Sequence, residues 1–314
     1  MHHNDGVMAT FKKSINAYTT DGGWYTIAAP FVSYAPAGTM IGSKFDLYAY
    51  DEDADLEWYN YKKHTADFVM ASGSGYLYAH KPNVTLRMSG VLSNGNSAET
   101  ISLSYGNSNE VVKGFNLLGN PKAHEITYTK SDAVSDGYYY IDNGSAWTYT
   151  TSNTVPAGRG FLVKANATGQ SVTLNPQRRG ENTDKEPYLC LGIGEDKVFV
   201  KLSEGVSMPL VDLNGEHAPF YLLRDRQPYV MLVRDGAASF VLCYEARHAG
   251  RHTLEVQTEG LGLDYLHLID RLTGTDIDLL ATPAYTFEAR PTDSEARFVL
   301  LFTEGSGVQK TEVK

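Results

Sequence analysis

Gly23-Trp24-Tyr25-Thr26-Ile27-Ala28-Ala29-Pro30 and Gly114-Phe115-Asn116-Leu117-Leu118-Gly119-Asn120-Pro121 are one block written twice. Each opens on Gly and an aromatic, runs through β-favouring residues and stops at a Pro that cannot donate to a ladder. Further matches follow in the same order. Tyr48-Ala49-Tyr50-Asp51 with Trp58-Tyr59 corresponds to Tyr139-Tyr140-Ile141-Asp142 with Trp147-Thr148. Gly73-Ser74-Gly75-Tyr76-Leu77-Tyr78-Ala79 corresponds to Gly158-Arg159-Gly160-Phe161-Leu162-Val163-Lys164, and Val84-Thr85-Leu86 to Val172-Thr173-Leu174. Four blocks in order at a spacing of about 90 residues define an internal repeat. Each copy reads as strand, Pro-ended loop, Tyr-rich hairpin with a Trp on its return, Gly-x-Gly turn, strand, strand.

The rest of the chain is written in the same vocabulary. The 21 Tyr and 29 Gly suit pleated surfaces joined by tight turns. Val198, Val200 and Leu202 alternate with polar or outward residues, as do Leu254 and Val256, at the period of a half-buried strand. Phe298-Val299-Leu300-Leu301-Phe302 is apolar on both faces and reads as a central strand. Ser93-Asn94-Gly95-Asn96, Asp142-Asn143-Gly144-Ser145 and Asp235-Gly236 are turn signals. The best helical candidate, around Asp293-Ser294-Glu295-Ala296, is a turn or two long. The polar run Arg178 to Pro187 lacks periodicity and marks a boundary. The expected fold is all-β: two related small antiparallel β-modules, 1–104 and 105–182, followed by a β-sandwich over 187–305 and a mobile tail over 306–314. The two copies are expected to pack side by side, because each alone has a small core.

The chain has 314 residues and a formal net charge of −10. That balance argues against nucleic acid, whose phosphates need clustered Lys and Arg, and against anionic lipid. No stretch is long and apolar enough for a membrane span. The first 20 residues carry no signal-peptide h-region, and the chain is expected to be either a piece of a longer precursor or a sequence with a mis-called start. Cys190 and Cys243 each sit in an apolar stretch and read as small buried hydrophobes, with a disulfide between them left open.

No catalytic residues are expected. Asp51-Glu52-Asp53-Ala54-Asp55 has the spacing that opens a calcium loop, but Leu56 and Lys62 stand where such a loop needs Gly and Glu. A solvated hairpin tip is the expected reading. His248 and His252 flank Gly250 in a hairpin context, not on a helix that would bring both rings to one metal. His267 reads as a hydrogen-bonded structural histidine. The Gly-x-Gly turns precede strands, so they read as backbone geometry rather than a phosphate cradle. No metal and no cofactor is expected. The candidate binding residues are Trp58, Tyr59, Tyr61, Trp147 and Tyr149, aromatics of the two Tyr-rich hairpins that could stack on sugar rings or fill protein pockets. Trp24 reads as module core.

The paired blocks and the Gly158–Ala165 segment resemble a module of large secreted and cell-surface proteins of Bacteroidetes-type bacteria. The run from Tyr265 to Gly274, continuing through Asp276–Pro283 and Ala284–Ala289 to Arg297-Phe298, is similar to the ending of the C-terminal β-region of such proteins. The resemblance spans about Ala17 to Phe302. It implies an extracellular or outer-surface β-protein, often placed before a sorting domain read by the type IX secretion system; the residues after Thr303 are too few for a complete one. Three functions are then open: a noncatalytic surface module (stalk, adhesin part or display region), a carbohydrate-binding module, and, remotely, a hydrolase. Candidate partners are a glycan or a host or cell-surface protein.

Overall fold

The computed structural model describes residues 6–20, 22–65, 68–93, 95–176, 187–211, 218–258 and 260–304. It divides into two compact units, Met1–Thr183 and Asp184–Lys314. The expected boundary run and tail fall mostly outside the described residues.

The first unit carries β1 (Met8–Ile15), β2 (Trp24–Ile27), β3 (Ser33–Tyr34), β4 (Phe45–Tyr50), β5 (Trp58–Asn60), β6 (Met70–Ala71), β7 (Tyr76–His80) and β8 (Val84–Val91) in its first copy. The second copy follows with β9 (Glu99–Ser102), β10 (Phe115–Gly119), β11 (Ile126–Lys130), β12 (Tyr138–Tyr140), β13 (Asp142–Gly144), β14 (Thr148–Thr150), β15 (Thr154–Val155), β16 (Gly160–Lys164) and β17 (Ser171–Pro176). In the second copy one sheet has the order β9-β17-β11-β15 and the other β10-β16-β12-β14. The first copy repeats this, strand for strand: β2-β7-β4-β5 forms one sheet, and the pairs β1-β8 and β3-β6 supply the other. Numbered within a copy and leaving β13 aside, the orders are 1-8-3-6 and 2-7-4-5. Two four-stranded antiparallel sheets in that order form an eight-stranded jelly roll. In the first copy a 3-10 turn at Gly38–Met40 lies against β8 where the second copy has its β11–β17 ladder, with Met40 fully buried.

Alternation along these strands sorts the aromatics. Tyr25, Ile27, Tyr76, Tyr78, Phe45 and Leu47 face inward and form the core of the first copy with Leu86 and Met88 from β8. Ile126, Tyr128, Tyr138, Phe161, Val163, Val172 and Leu174 do the same in the second. Strand β9 pairs with β17, so Glu99–Ser102 belongs to the second copy's sheet. The division between copies therefore falls before Glu99, ahead of the expected boundary at 104.

The copies dock reciprocally. The Ile27 end of β2 bridges to Arg159 in the second copy's Gly-x-Gly turn, and the equivalent Leu118 end of β10 bridges to Ser74 in the first copy's turn. Ala28 N donates to Gly158 O at 3.0 Å, and its counterpart Gly119 N donates to Gly73 O at 2.8 Å. Contacts exchanged in this way define an isologous, two-fold interface. They also explain the glycines. Gly73 and Gly158 turn the chain at φ 75° and 68°, which L-residues disfavour. Gly75 and Gly160 pass against the other copy's backbone, where a Cβ on Gly160 would meet Ile27 O at 2.8 Å and one on Gly75 would overlap Leu118 O.

The second unit comprises β18 (Tyr188–Ile193), β19 (Asp196–Lys201), β20 (Met208–Pro209), β21 (Phe220–Arg224), β22 (Gln227–Val233), β23 (Ser239–Tyr244), β24 (Gly250–Gln257), β25 (Leu263–Asp270), β26 (Thr275–Asp278), β27 (Ala284–Ala289) and β28 (Phe298–Glu304). They form one sheet, β26-β25-β28-β23-β21-β22-β19-β18-β24-β27, with β20 beside β22. Leu189, Leu191 and Val200 from one half share a single core with Leu222, Leu242, Leu268 and Leu300 from the other. The layers of the expected sandwich are thus two halves of one sheet folded over its core. The segment 293–296 is irregular chain with bends rather than helix.

Candidate functional site

On β2, β7, β4 and β5 the face turned away from the first copy's core is read from the register. Trp24 lies opposite Ala79, which lies opposite Asp46. Thr26, Leu77, Tyr48 and Asn60 make the next row, and Tyr50 faces Trp58. This face carries a continuous aromatic strip. Tyr18 meets Trp24 at 5.6 Å and 78°, Trp24 meets Tyr48 at 6.0 Å and 60°, Tyr48 meets Trp58 at 6.5 Å and 89°, and Trp58 meets Tyr50 at 4.9 Å and 65°. Tyr18 is 45% exposed, while Trp24, Tyr48, Tyr50 and Trp58 are half-buried. Edge-to-face pairs of this kind contribute about 0.5–1.5 kcal/mol each beyond area burial. They lock the rings to one another, with the Tyr50 hydroxyl donating to Val112 O at 3.5 Å and Tyr18 at the exposed end.

The expected binding residues are dispersed by this geometry. Trp58 is on the strip. Tyr59, one residue on, points to the opposite face, where it stacks on His64 at 3.8 Å and on Phe68 at 6.2 Å. Tyr61 is half-buried and packs against the first core through Phe45 and Phe68. Trp147 and Tyr149 belong to the second copy. Tyr149 is half-buried against Tyr139, and its hydroxyl donates to Asp136 O. Trp147 is half-buried with its Nε1 shielded from solvent and without a hydrogen-bond partner. Trp24, expected in the core, is instead central to the strip, and Tyr18 and Tyr48 join it. The signal available in sequence was parity: Trp24 and Tyr25 cannot share a face of a strand, and Tyr25 is the one that is buried.

The acidic tip at Asp51–Asp55 is not the solvated turn that its charge suggests. Glu52 is 2% exposed. Its carboxylate accepts from the backbone N–H groups of Gly106 at 2.9 Å, Asn107 at 3.1 Å and Gly114 at 2.8 Å, all in the second copy's β9–β10 loop. Burial alone would raise the pKa of this carboxyl, but the N–H donors outweigh it and hold it below the usual range. The equivalent tip of the second copy reciprocates: β13 pairs with β2, and Asp142 takes Lys13 of the first copy at 3.3 Å, beside Arg159 of its own copy at 3.1 Å. The charge at these tips secures one copy to the other. Asp51, Asp53 and Asp55 are exposed around Glu52, and among the described residues no three His, Cys, Asp or Glu side chains are grouped to hold a metal.

In the second unit the motif residues from Tyr265 to Phe298 surround one buried ion pair. Arg297 Nε and Nη2 donate to Asp270 Oδ1 and Oδ2 at 2.9 and 2.7 Å, with side-chain exposures of 3% and 0%. Tyr285 Oη and Leu272 N complete the carboxylate's partners, while Arg297 Nη1 donates to Glu288 O. Burial would raise the Asp270 pKa; the Arg297, Tyr285 and Leu272 donors reverse this and lower it. The guanidinium also lies 4.6 Å from the Phe287 ring centre and 5.2 Å from that of Phe298. The run from Tyr265 to Phe298 is therefore organised around a buried, internally satisfied ion pair.

His267 Nδ1 donates to Asp276 Oδ1 at 2.7 Å, and the ring stacks on Tyr265 at 4.1 Å. His248 is exposed, whereas His252 is half-buried and bonds Tyr244 Oη through Nδ1. Cys190 and Cys243 are both free and buried. Burial pushes the Cys243 thiol up to about 11, which keeps it protonated and unreactive at neutral pH. No helix among the described residues is long and apolar enough to cross a membrane. The chain matches no family model, and neither a curated protein nor a solved structure is significantly similar to it.

Proposed function

We propose that this chain is a noncatalytic β-module of an extracellular or cell-surface protein, acting as a stalk, adhesin part or display region. The observation that carries this reading is the reciprocal docking of the two jelly rolls. The residues that stand out in sequence, both Gly-x-Gly turns and both acidic hairpin tips, are used to fasten one copy to the other. The buried polar cluster of the second unit is likewise consumed by internal partners. The resemblance to Bacteroidetes-type surface proteins supports the location. Protease shaving of intact source cells tests it: loss of the chain without lysis is expected, and full protection until lysis would overturn it.

A second reading, carbohydrate binding, is favoured by one observation. Tyr18, Trp24, Tyr48 and Trp58 form a continuous, partly solvent-facing aromatic strip on a sheet face. Aromatic faces of this kind bury the apolar sides of sugar rings, and jelly rolls occur among lectin domains, although fold alone assigns no ligand. A glycan array probed with the intact chain and with Trp58→Ala and Trp24→Ala tests it. Signals lost in both variants support the reading, and an array blank for the intact chain overturns it.

A further inference from the structure

The two copies can be compared position by position, because their ladders share one register. Trp24 opposite Ala79 corresponds to Phe115 opposite Lys164. Tyr48 opposite Leu77 corresponds to Tyr139 opposite Leu162. Asp46, the third member of the Trp24–Ala79 row, corresponds in the repeat to Gly137, which directly precedes β12.

In the second copy this row is self-sufficient. Lys164 Nζ lies 4.5 Å from the Phe115 ring centre and donates to Lys113 O, and Phe115 is only 2% exposed. In the first copy the lysine is absent, the ring is the larger indole, and an acid has been added at the end of the row. The row thus loses one positive charge and gains one negative charge, while its aromatic wall is kept and opened to solvent. An indole is the strongest cation–π acceptor among side chains. The Asp46 side chain is 42% exposed, and among the described residues its charged partner is Lys62 at 2.9 Å. An exposed pair of this type is weak enough to be exchanged for a ligand's cation.

We infer that the Trp24–Tyr48–Asp46 corner of the strip receives a protonated amine carried on a sugar, so that the ligand is a glycan containing free, non-acetylated amino sugars. The sugar ring lies on the aromatic strip, and its ammonium group takes the place over the ring that Lys164 fills in the second copy, with Asp46 as counter-ion. This rests on the carbohydrate reading of the strip and narrows it to one ligand class.

The test is a tryptophan-fluorescence or calorimetric titration of the intact chain with the glucosamine tetramer and with the N-acetylglucosamine tetramer, below the amine pKa. The two probes share a backbone and differ in the cation. The expected result is binding of the amine form at least about tenfold tighter than the acetylated form, weakened about fivefold by Asp46→Asn and strengthened by Lys62→Met, which frees the carboxylate. Far-UV circular dichroism of each variant establishes that it is folded, and Asp46, being exposed, is a substitution the fold should accept. Equal affinity for both tetramers, or an Asp46→Asn chain that binds the amine form as the parent does, would overturn the amino-sugar assignment and leave the carbohydrate reading standing. No binding of either tetramer, with an array that is also blank, would overturn both.

Discussion

Substituting Gly160 by Ala isolates the docking of the two copies. Gly160 opens β16, and its φ lies outside the left-handed region, so alanine adds no backbone strain of its own. The new methyl would sit 2.8 Å from Ile27 O, 3.1 Å from Ile27 N and 3.2 Å from Thr26 Cβ. That is roughly 0.5 Å inside ordinary contact with two backbone atoms, and neither can swing away as a side-chain tip could. Overpacking of this kind costs about 1–3 kcal/mol, against about 0.4–1 kcal/mol returned by stiffening the unfolded chain. A net loss of about 0.5–2 kcal/mol is expected. Gly75→Ala, whose methyl would overlap Leu118 O, should cost more. All three tryptophans lie in the first unit, so urea unfolding followed by indole fluorescence reports on that unit alone. Gly144→Ala serves as the control, because its methyl would meet nothing closer than 3.9 Å. The Gly75/Gly160 double variant should fall short of additivity, since one opened seam relieves the other. If Gly160→Ala and Gly75→Ala leave the midpoint where Gly144→Ala leaves it, the reciprocal seam does not hold the copies together.

Two other substitutions test the buried charges. Asp270→Asn removes the buried charge paired with Arg297 and leaves only Asp293, 3.8 Å away, as its carboxylate neighbour among the described residues, which should cost about 3 kcal/mol, the low end for a broken buried pair; thermal unfolding followed by far-UV circular dichroism reads this, and a loss under about 1 kcal/mol would show that the pair is not what holds that end of the sheet. Glu52→Gln removes the charge and replaces one carboxylate oxygen by an NH2 donor, so the three inter-copy N–H groups are left with a single neutral acceptor oxygen. The folded pKa of Glu52 is lowered, so its contribution is complete above the ordinary carboxylate pKa and disappears as pH falls through the folded value. The variant should therefore unfold earlier than the parent at pH 7 and converge with it in acid, and curves that stay parallel down to acid pH would refute the assignment.

Much of this architecture was legible in the chain because strand periodicity and turn chemistry are local. The first three repeated blocks located every strand of the 2-7-4-5 sheets, and the fourth, Val84–Leu86 with Val172–Leu174, located β8 and β17. What the blocks could not carry was pairing. Nothing in Glu99–Ser102 says that it joins the following copy, because an edge strand of four residues has no repeat motif of its own. The acidic tip misled for a related reason. Charge predicts solvent only when no backbone donors converge on it, and the three that meet Glu52 come from residues 106–114, far along the sequence. The aromatics grouped by sequence are separated by parity, since Tyr59 and Trp58 are neighbours in sequence yet lie on opposite faces. The motif from Tyr265 to Phe298 was recognisable as a unit, but that Asp270 and Arg297 form its centre required the register of β25 against β28.

The symmetry of the docking limits what the repeat can be. A solenoid grows because each unit offers its neighbour a different surface from the one it receives. Here each copy gives its Gly-x-Gly turn and hairpin tip to the other and receives the same elements back, so the pair closes and a third copy has no equivalent seam to join. The same exchange makes either copy incomplete alone. Copy one lacks the β13 strand beside β2, and copy two lacks the carboxylate that satisfies Gly106, Asn107 and Gly114. Both copies should then unfold in one step. Single-tryptophan variants retaining Trp58 in the first copy or Trp147 in the second should report coincident urea midpoints and slopes. Separated midpoints would mean that each jelly roll stands by itself, and that the turns and tips fasten two finished domains rather than complete one.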